Sequence, residues 1–106
     1  MIIREWRGRA LRSREGAYLE HFNSSVLPQL KNVPGFMGAH LMSRPKGDLV
    51  ELVVLTRWES YDAIRRFAGP QFERAVVEPT AAAALADFDP VAQHYEILTD
   101  LSPSPA

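Results

Sequence analysis

At its start the chain alternates: Ile2, Arg4, Trp6, Gly8 and Ala10 fall on one side, and Ile3, Glu5, Arg7 and Arg9 on the other. That period of two predicts a strand over 2–11. The rhythm then changes. Tyr18, Phe22, Val26 and Leu30 recur every fourth residue, and Ala17, His21 and Leu27 widen the stripe. This predicts an amphipathic helix, capped by Ser13 and ended at Pro34-Gly35. Two strand-like runs, 36–44 and Leu49–Trp58, flank Pro45-Lys46-Gly47-Asp48 and predict a hairpin. The second arm begins Leu49-Val50-Glu51-Leu52-Val53-Val54-Leu55, nearly continuous in apolar residues. Such a strand is covered on both faces.

Ser60 suits the cap of a second helix that turns Ala63, Ile64 and Phe67 inward and breaks at Gly69-Pro70. Pro70 fits a first helical position, so 71–77 is expected to add a turn or two through Phe72, Ala75 and Val76. Residues 79–86 form a short helix by propensity, stopped by Asp87-Phe88-Asp89-Pro90. A last strand is expected over 91–98. It puts Val91, Gln93, Tyr95 and Ile97 on one face and Ala92, His94, Glu96 and Leu98 on the other. The order β, α, β, β, α, β is α+β: a ferredoxin-like antiparallel sheet with helices on one face. Its other face would expose Val, Leu and Ile beyond what a soluble monomer tolerates, which predicts a homodimer packed sheet to sheet.

A chain of 106 residues makes one domain. It is expected over 1–100, followed by a disordered tail over 101–106 ending Ser102-Pro103-Ser104-Pro105-Ala106. A net charge of -1 and the lack of a basic stripe argue against a nucleic-acid partner. Without cysteine there is no disulfide, thiolate nucleophile, iron–sulfur cluster or thiolate zinc site. No apolar run is long enough for a membrane span, and charges at Arg4 and Glu5 oppose a signal peptide, so the expected compartment is the cytoplasm. The three histidines lack metal-ligand spacing, there is no phosphate-binding loop, and Ser24-Ser25 has no nucleophile elbow around it.

The candidate chemistry is therefore spread out. His94, on the face of Ala92 and Leu98, can accept a proton near neutral pH, or be a half-buried imidazole on a backbone carbonyl. His21 lies on the inward side of the first helix as a second base, or packs at the helix edge. His40 shares a face with Phe36, Gly38 and Met42 and reads as packing or an intersubunit bond. Trp6, Trp58 and Phe22 can wall a cavity, while Trp6 and Trp58 are equally good core residues. Arg4 can hold a ligand oxygen, or pair with a carboxylate such as Glu51 or Glu96. Tyr18 and Asn23 add polar contacts from the first helix, although exposure is the default for Asn23.

Several segments together carry a resemblance: Ile3-Arg4-Glu5-Trp6-Arg7-Gly8, Pro34-Gly35-Phe36, Trp58-Glu59-Ser60 with Ala63-Ile64 and Phe67-Ala68-Gly69, and His94-Tyr95-Glu96. Over 2–98 the sequence resembles the antibiotic biosynthesis monooxygenase-like family of dimeric α+β barrels. The resemblance implies a homodimer whose subunits each bind a small aromatic or polyketide-like substrate between sheet and helices. It also implies a cofactor-independent monooxygenase, without metal or flavin: a bound phenol or enol loses a proton to His94 or His21, and the electron-rich anion reduces dioxygen. Trp6, Trp58 and Phe22 would line that site, with Arg4, Tyr18 and Asn23 contacting the substrate. The fold also carries other activities. The alternative is a non-redox isomerase, cyclase or ligand-binding protein of the same fold. Alignment with the family's haem-degrading branch puts Val76 where that branch has an iron-ligating histidine, and Trp6 near where it has an asparagine. Both departures oppose haem binding.

Overall fold

The computed structural model describes residues 1–101. Strand β1 (Ile2–Leu11) is the spine of a five-stranded sheet. It pairs antiparallel with β3 (Leu49–Trp58) on one edge and with β4 (Asp87–Phe88) and β5 (Gln93–Glu96) on the other. β2 (Phe36–Lys46) adds outside β3. Helices α1 (Glu15–His21), α2 (Leu27–Lys31), α3 (Tyr61–Ala68) and α4 (Pro79–Ala84) cover one face. This is the ferredoxin-like α+β arrangement read from the sequence. Among the described residues no helix is long and apolar enough to cross a membrane.

The alternation of β1 sets the layers. Ile2, Arg4, Trp6, Gly8 and Ala10 are buried toward the helices, opposite Trp58, Thr56, Val54, Leu52 and Val50 of β3. Two apolar clusters result: one around Trp6, Tyr18, Phe22 and Leu52, the other around Ile2, Leu30, Trp58 and Ile64. Gly8 leaves room for this packing: a Cβ there would lie 3.1 Å from the Trp6 ring, which would have to shift by a few tenths of an ångström.

The first helical stretch is continuous from Arg12 to Lys31 but not uniform. A 3-10 turn (Arg12–Arg14) leads into α1, and a π-helical segment (Phe22–Val26) separates α1 from α2. The four-residue repeat explains the π segment. On an α-helix each step of four overshoots a full turn by about 40°, so Leu30 would drift well away from Tyr18. The wider π turn takes up that drift, and Tyr18, Phe22 and Leu30 all end buried.

Local expectations were overturned where tertiary contacts intervene. Ser13 lies within the 3-10 turn, where no side chain caps the helix, whereas the Ser60 oxygen accepts from Ala63 N at 3.2 Å as expected. The hairpin turn is only Gly47-Asp48, with Gly47 at φ 61, so β2 runs on through Pro45 at the sheet edge. A bulge between Phe36 and Gly38 sends Phe36 to the helical side, against Trp58, while Gly38, His40 and Met42 stay on the other. His40 therefore does not share a face with Phe36. Residues 71–77 are not helical: Ala75 N donates to Pro90 O and Ala92 N donates to Glu73 O, which ties this segment to the chain before β5. The last strand, expected over 91–98, is shortened to β5, and the segment expected only to stop the helix forms the extra strand β4, held by Arg9 on Asp87 and Asp89. The short helix stops at Ala84. The expected tail lies, from Ser102 onward, outside the described residues.

Candidate functional site

Between β1, β3, the first helical stretch and the irregular segment 69–78 lies a cavity of about 60 Å³. Trp6, Phe22, Val54 and Phe67 make its wall apolar, and Arg4, Tyr18 and His21 bring polar atoms to it. Segment 69–78 covers it through Val76, Val77 and Glu78. A cavity of about 150 Å³ accommodates one benzene ring, so an aromatic ligand fits only if the lining yields, and the strap is the part of that lining without regular structure. Gln29 Nε2 donates to Glu78 Oε1 at 2.9 Å and latches the strap to α2.

His21 is buried, and its Nε2 has no hydrogen-bond partner among the described residues. An unsatisfied buried polar atom costs about 1–3 kcal/mol, and this one belongs to a cavity-lining residue. Tyr18 packs against Trp6 with ring centroids 6.2 Å apart, and burial pushes its phenol up to about 12. At neutral pH Tyr18 is therefore a hydrogen-bond donor and not a base.

Arg4 is buried with the strap folded over it. Its Nη1 donates to Phe72 O, and its Nη2 donates to Arg74 O at 3.0 Å. Burial lowers its pKa to about 10, the charge of Glu73 opposing the shift. Neither carboxylate expected for Arg4 reaches it. Glu51 lies on the opposite face of the sheet, bonded to Arg7 and Arg44, and Glu96 is exposed. Burial disfavours the Glu51 charge, but the Arg44 hydrogen bond and the charges of Arg44, Lys46 and Arg7 hold its carboxyl below the usual range.

His94 is opposite Arg4 across the β1–β5 ladder, and its Nε2 lies 3.0 Å from Arg4 Nη1. A guanidinium only donates, so Nε2 accepts and the neutral ring carries its proton on Nδ1. Burial, then the Arg4 charge, hold this imidazole below the ordinary histidine range, with Glu73 opposing. The ring borders a shallow depression with Tyr61, Arg65 and Phe72 and does not line the cavity under the helices.

Of the residues singled out in the sequence, the cavity thus gathers Arg4, Trp6, Tyr18, His21 and Phe22. Trp58 is fully buried between Phe36 and Phe67, its indole N–H donating to Thr56 Oγ1 at 2.8 Å. Truncating such a residue costs about 3–5 kcal/mol, and its place is in the core. Asn23 is exposed. Val54 and Thr56, four and two residues before Trp58, line the cavity unannounced, although strand alternation from Trp58 points both the same way. Among the described residues no group of three His, Asp or Glu is placed to hold a metal.

An antiparallel α+β sheet with a cavity under its helices defines a broad class of small ligand-pocket domains. The family model for antibiotic biosynthesis monooxygenases matches residues 1–78, and the chain belongs to that family. A Bacillus cereus structure assigned to antibiotic biosynthesis monooxygenases is similar over 99% of this chain and 98% of its own, with TM-score 0.71 and 16% identity. SnoaB, a cofactor-independent oxygenase from Streptomyces nogalater, is similar over 96% and 98%, with TM-score 0.64 and 20% identity. The haem degrader MhuD from Mycobacterium tuberculosis, seen with two haems in its active site, is similar over 96% and 100%, with TM-score 0.60 and 21% identity. At these identities the likeness is one of fold. No curated protein matches the chain in sequence.

Proposed function

We propose that this chain is a cofactor-independent oxygenase of an aromatic or polyketide-like phenol, acting as a homodimer in the cytoplasm. The observation that carries this reading is the partnerless Nε2 of His21 at an apolar cavity shared with Tyr18 and Arg4. His21, and not His94, is the base in this reading, because the Nε2 lone pair of His94 is engaged by Arg4. His21 takes the phenol or enol proton, while the Tyr18 hydroxyl donates to the resulting oxyanion. Trp6 and Phe22 hold the ring and keep water out. The substrate anion then reduces dioxygen: a ring CH₂ and O₂ become a ring C=O and H₂O, with all four electrons supplied by the substrate.

The family match and the similarity to an oxygenase described as cofactor-independent support this reading. Val76, at the cavity where the haem-degrading branch would have its histidine, argues against the haem-degrading alternative. The test is oxygen uptake with phenols graded from monocyclic hydroquinones to an anthrone. His21→Gln is expected to lower kcat by about 10²–10⁴. An absence of uptake across the panel would sink the oxygenase reading. The small cavity would then favour the second one, a non-redox isomerase, cyclase or ligand-binding protein.

A further inference from the structure

Arg4 is a buried cation without a counter-ion. Among the described residues no carboxylate comes within salt-bridge distance of its guanidinium. Glu78, the carboxylate in the cavity lining, is engaged by Gln29, and Glu73 is exposed. Burying a charge without a partner is costly, and proteins normally pair such groups. Two backbone carbonyls and a neutral imidazole are what Arg4 has instead.

Its donors are also incompletely used. A guanidinium has five N–H groups. Both Nη1–H are taken, by Phe72 O and His94 Nε2, and one Nη2–H by Arg74 O. Nε–H and the second Nη2–H remain. The planar donors of a guanidinium bind the two oxygens of a carboxylate as a fork, and two of the five are open here among the described residues. Arg4 lines the cavity whose remaining wall is aromatic and aliphatic.

We propose that the cavity selects an aromatic carboxylate, its ring against Trp6 and Phe22 and its two oxygens on the uncommitted fork of Arg4. The inference deepens the functional reading above by naming the class of ligand, and rests on it only in using the same cavity. The carboxylate supplies the counter-charge that the fold withholds, and the partnerless His21 Nε2 offers a second polar contact to a ring substituent. Specificity then follows from charge. A neutral amide of the same shape leaves Arg4 unpaired and turns a donor toward it.

The experiment compares two matched pairs, benzoate with benzamide and 2-naphthoate with 2-naphthamide. Binding is read by quenching of Trp6, a cavity wall residue, against the constant background of the fully buried Trp58. Each carboxylate is expected to bind saturably and at least about tenfold more tightly than its amide, the scale of one desolvated charge-assisted hydrogen bond. Arg4→Gln should remove that preference, chiefly by weakening the carboxylate's binding. Equal affinities within each pair, or no saturable binding by any of the four, overturn the proposal on the native protein alone, whether or not the variant folds. A preference that survives in folded Arg4→Gln also overturns it. Oxygen uptake is read separately: a charge preference without turnover keeps this inference and removes the oxygenase, and turnover without a charge preference does the reverse.

Discussion

His94 accepts a hydrogen bond from a cation, so protonating it costs the fold both that bond and a new repulsion between two positive charges. The folded protein therefore binds this proton less readily than the open chain, whose histidine titrates near the ordinary 6.5. Stability is then full above that pH, is lost as pH falls through it, and levels off once the folded-state imidazole is itself charged. Urea unfolding at pH 7.5 and 5.5 should show this loss, and His94→Gln, which keeps an acceptor for Arg4, should shrink it. An unchanged pH slope in the variant would assign the loss to other groups. Alternation put Arg4 and Trp6 on one face of β1, and the structure turns that face to the helices. The engagement of His94 by Arg4 was not legible, because it depends on the β1–β5 register, which joins residues 90 positions apart.

Among the elements, those built on local rhythm were the readable ones. β1, the β2–β3 hairpin and the helix after Ser60 follow from alternation, a glycine turn and a capping serine. The π segment had a signal in the strict spacing of Tyr18, Phe22, Val26 and Leu30, which an α-helix cannot keep on one side. Segment 69–78 had none. Its apolar spacing suits a helix, but Arg4, Pro90 and Ala92 claim its backbone groups and hold it as a strap. Access to the cavity should accordingly depend on how firmly that strap is held. Removing the latch with Gln29→Ala and Glu78→Ala is expected to raise the association rate of 2-naphthoate several-fold in stopped-flow fluorescence. Stability should fall by less than about 1 kcal/mol, because an exposed pair contributes little. An unaltered rate would mean that ligands enter by another route.

For the molecule as a whole, the helix-free face of the sheet is divided. One end is charged, with Glu51 held by Arg7, Arg44 and Lys46. The other end carries the apolar residues, Ile3, Val53 and Leu55 half-buried and Met42 and Tyr95 exposed, interspersed with Glu5, His40 and Arg57. The homodimer proposed above would bury that apolar end, so Leu55→Arg should yield a folded monomer by light scattering at micromolar concentration, where the native chain gives a dimer. A native monomer would remove the sheet-to-sheet arrangement. Fold class was legible because alternation and element order suffice for it, whereas the cavity depends on where distant strands and the strap meet. Arg4 stands at that meeting, between the cavity under the helices and the open depression around His94. A ligand anion on one side of the guanidinium would offset its charge as felt by the imidazole on the other, and so make His94 easier to protonate. Thermodynamic reciprocity requires the converse: a protonated His94 tightens anion binding by the same factor. One side chain would thereby make ligand uptake and proton uptake a single coupled event.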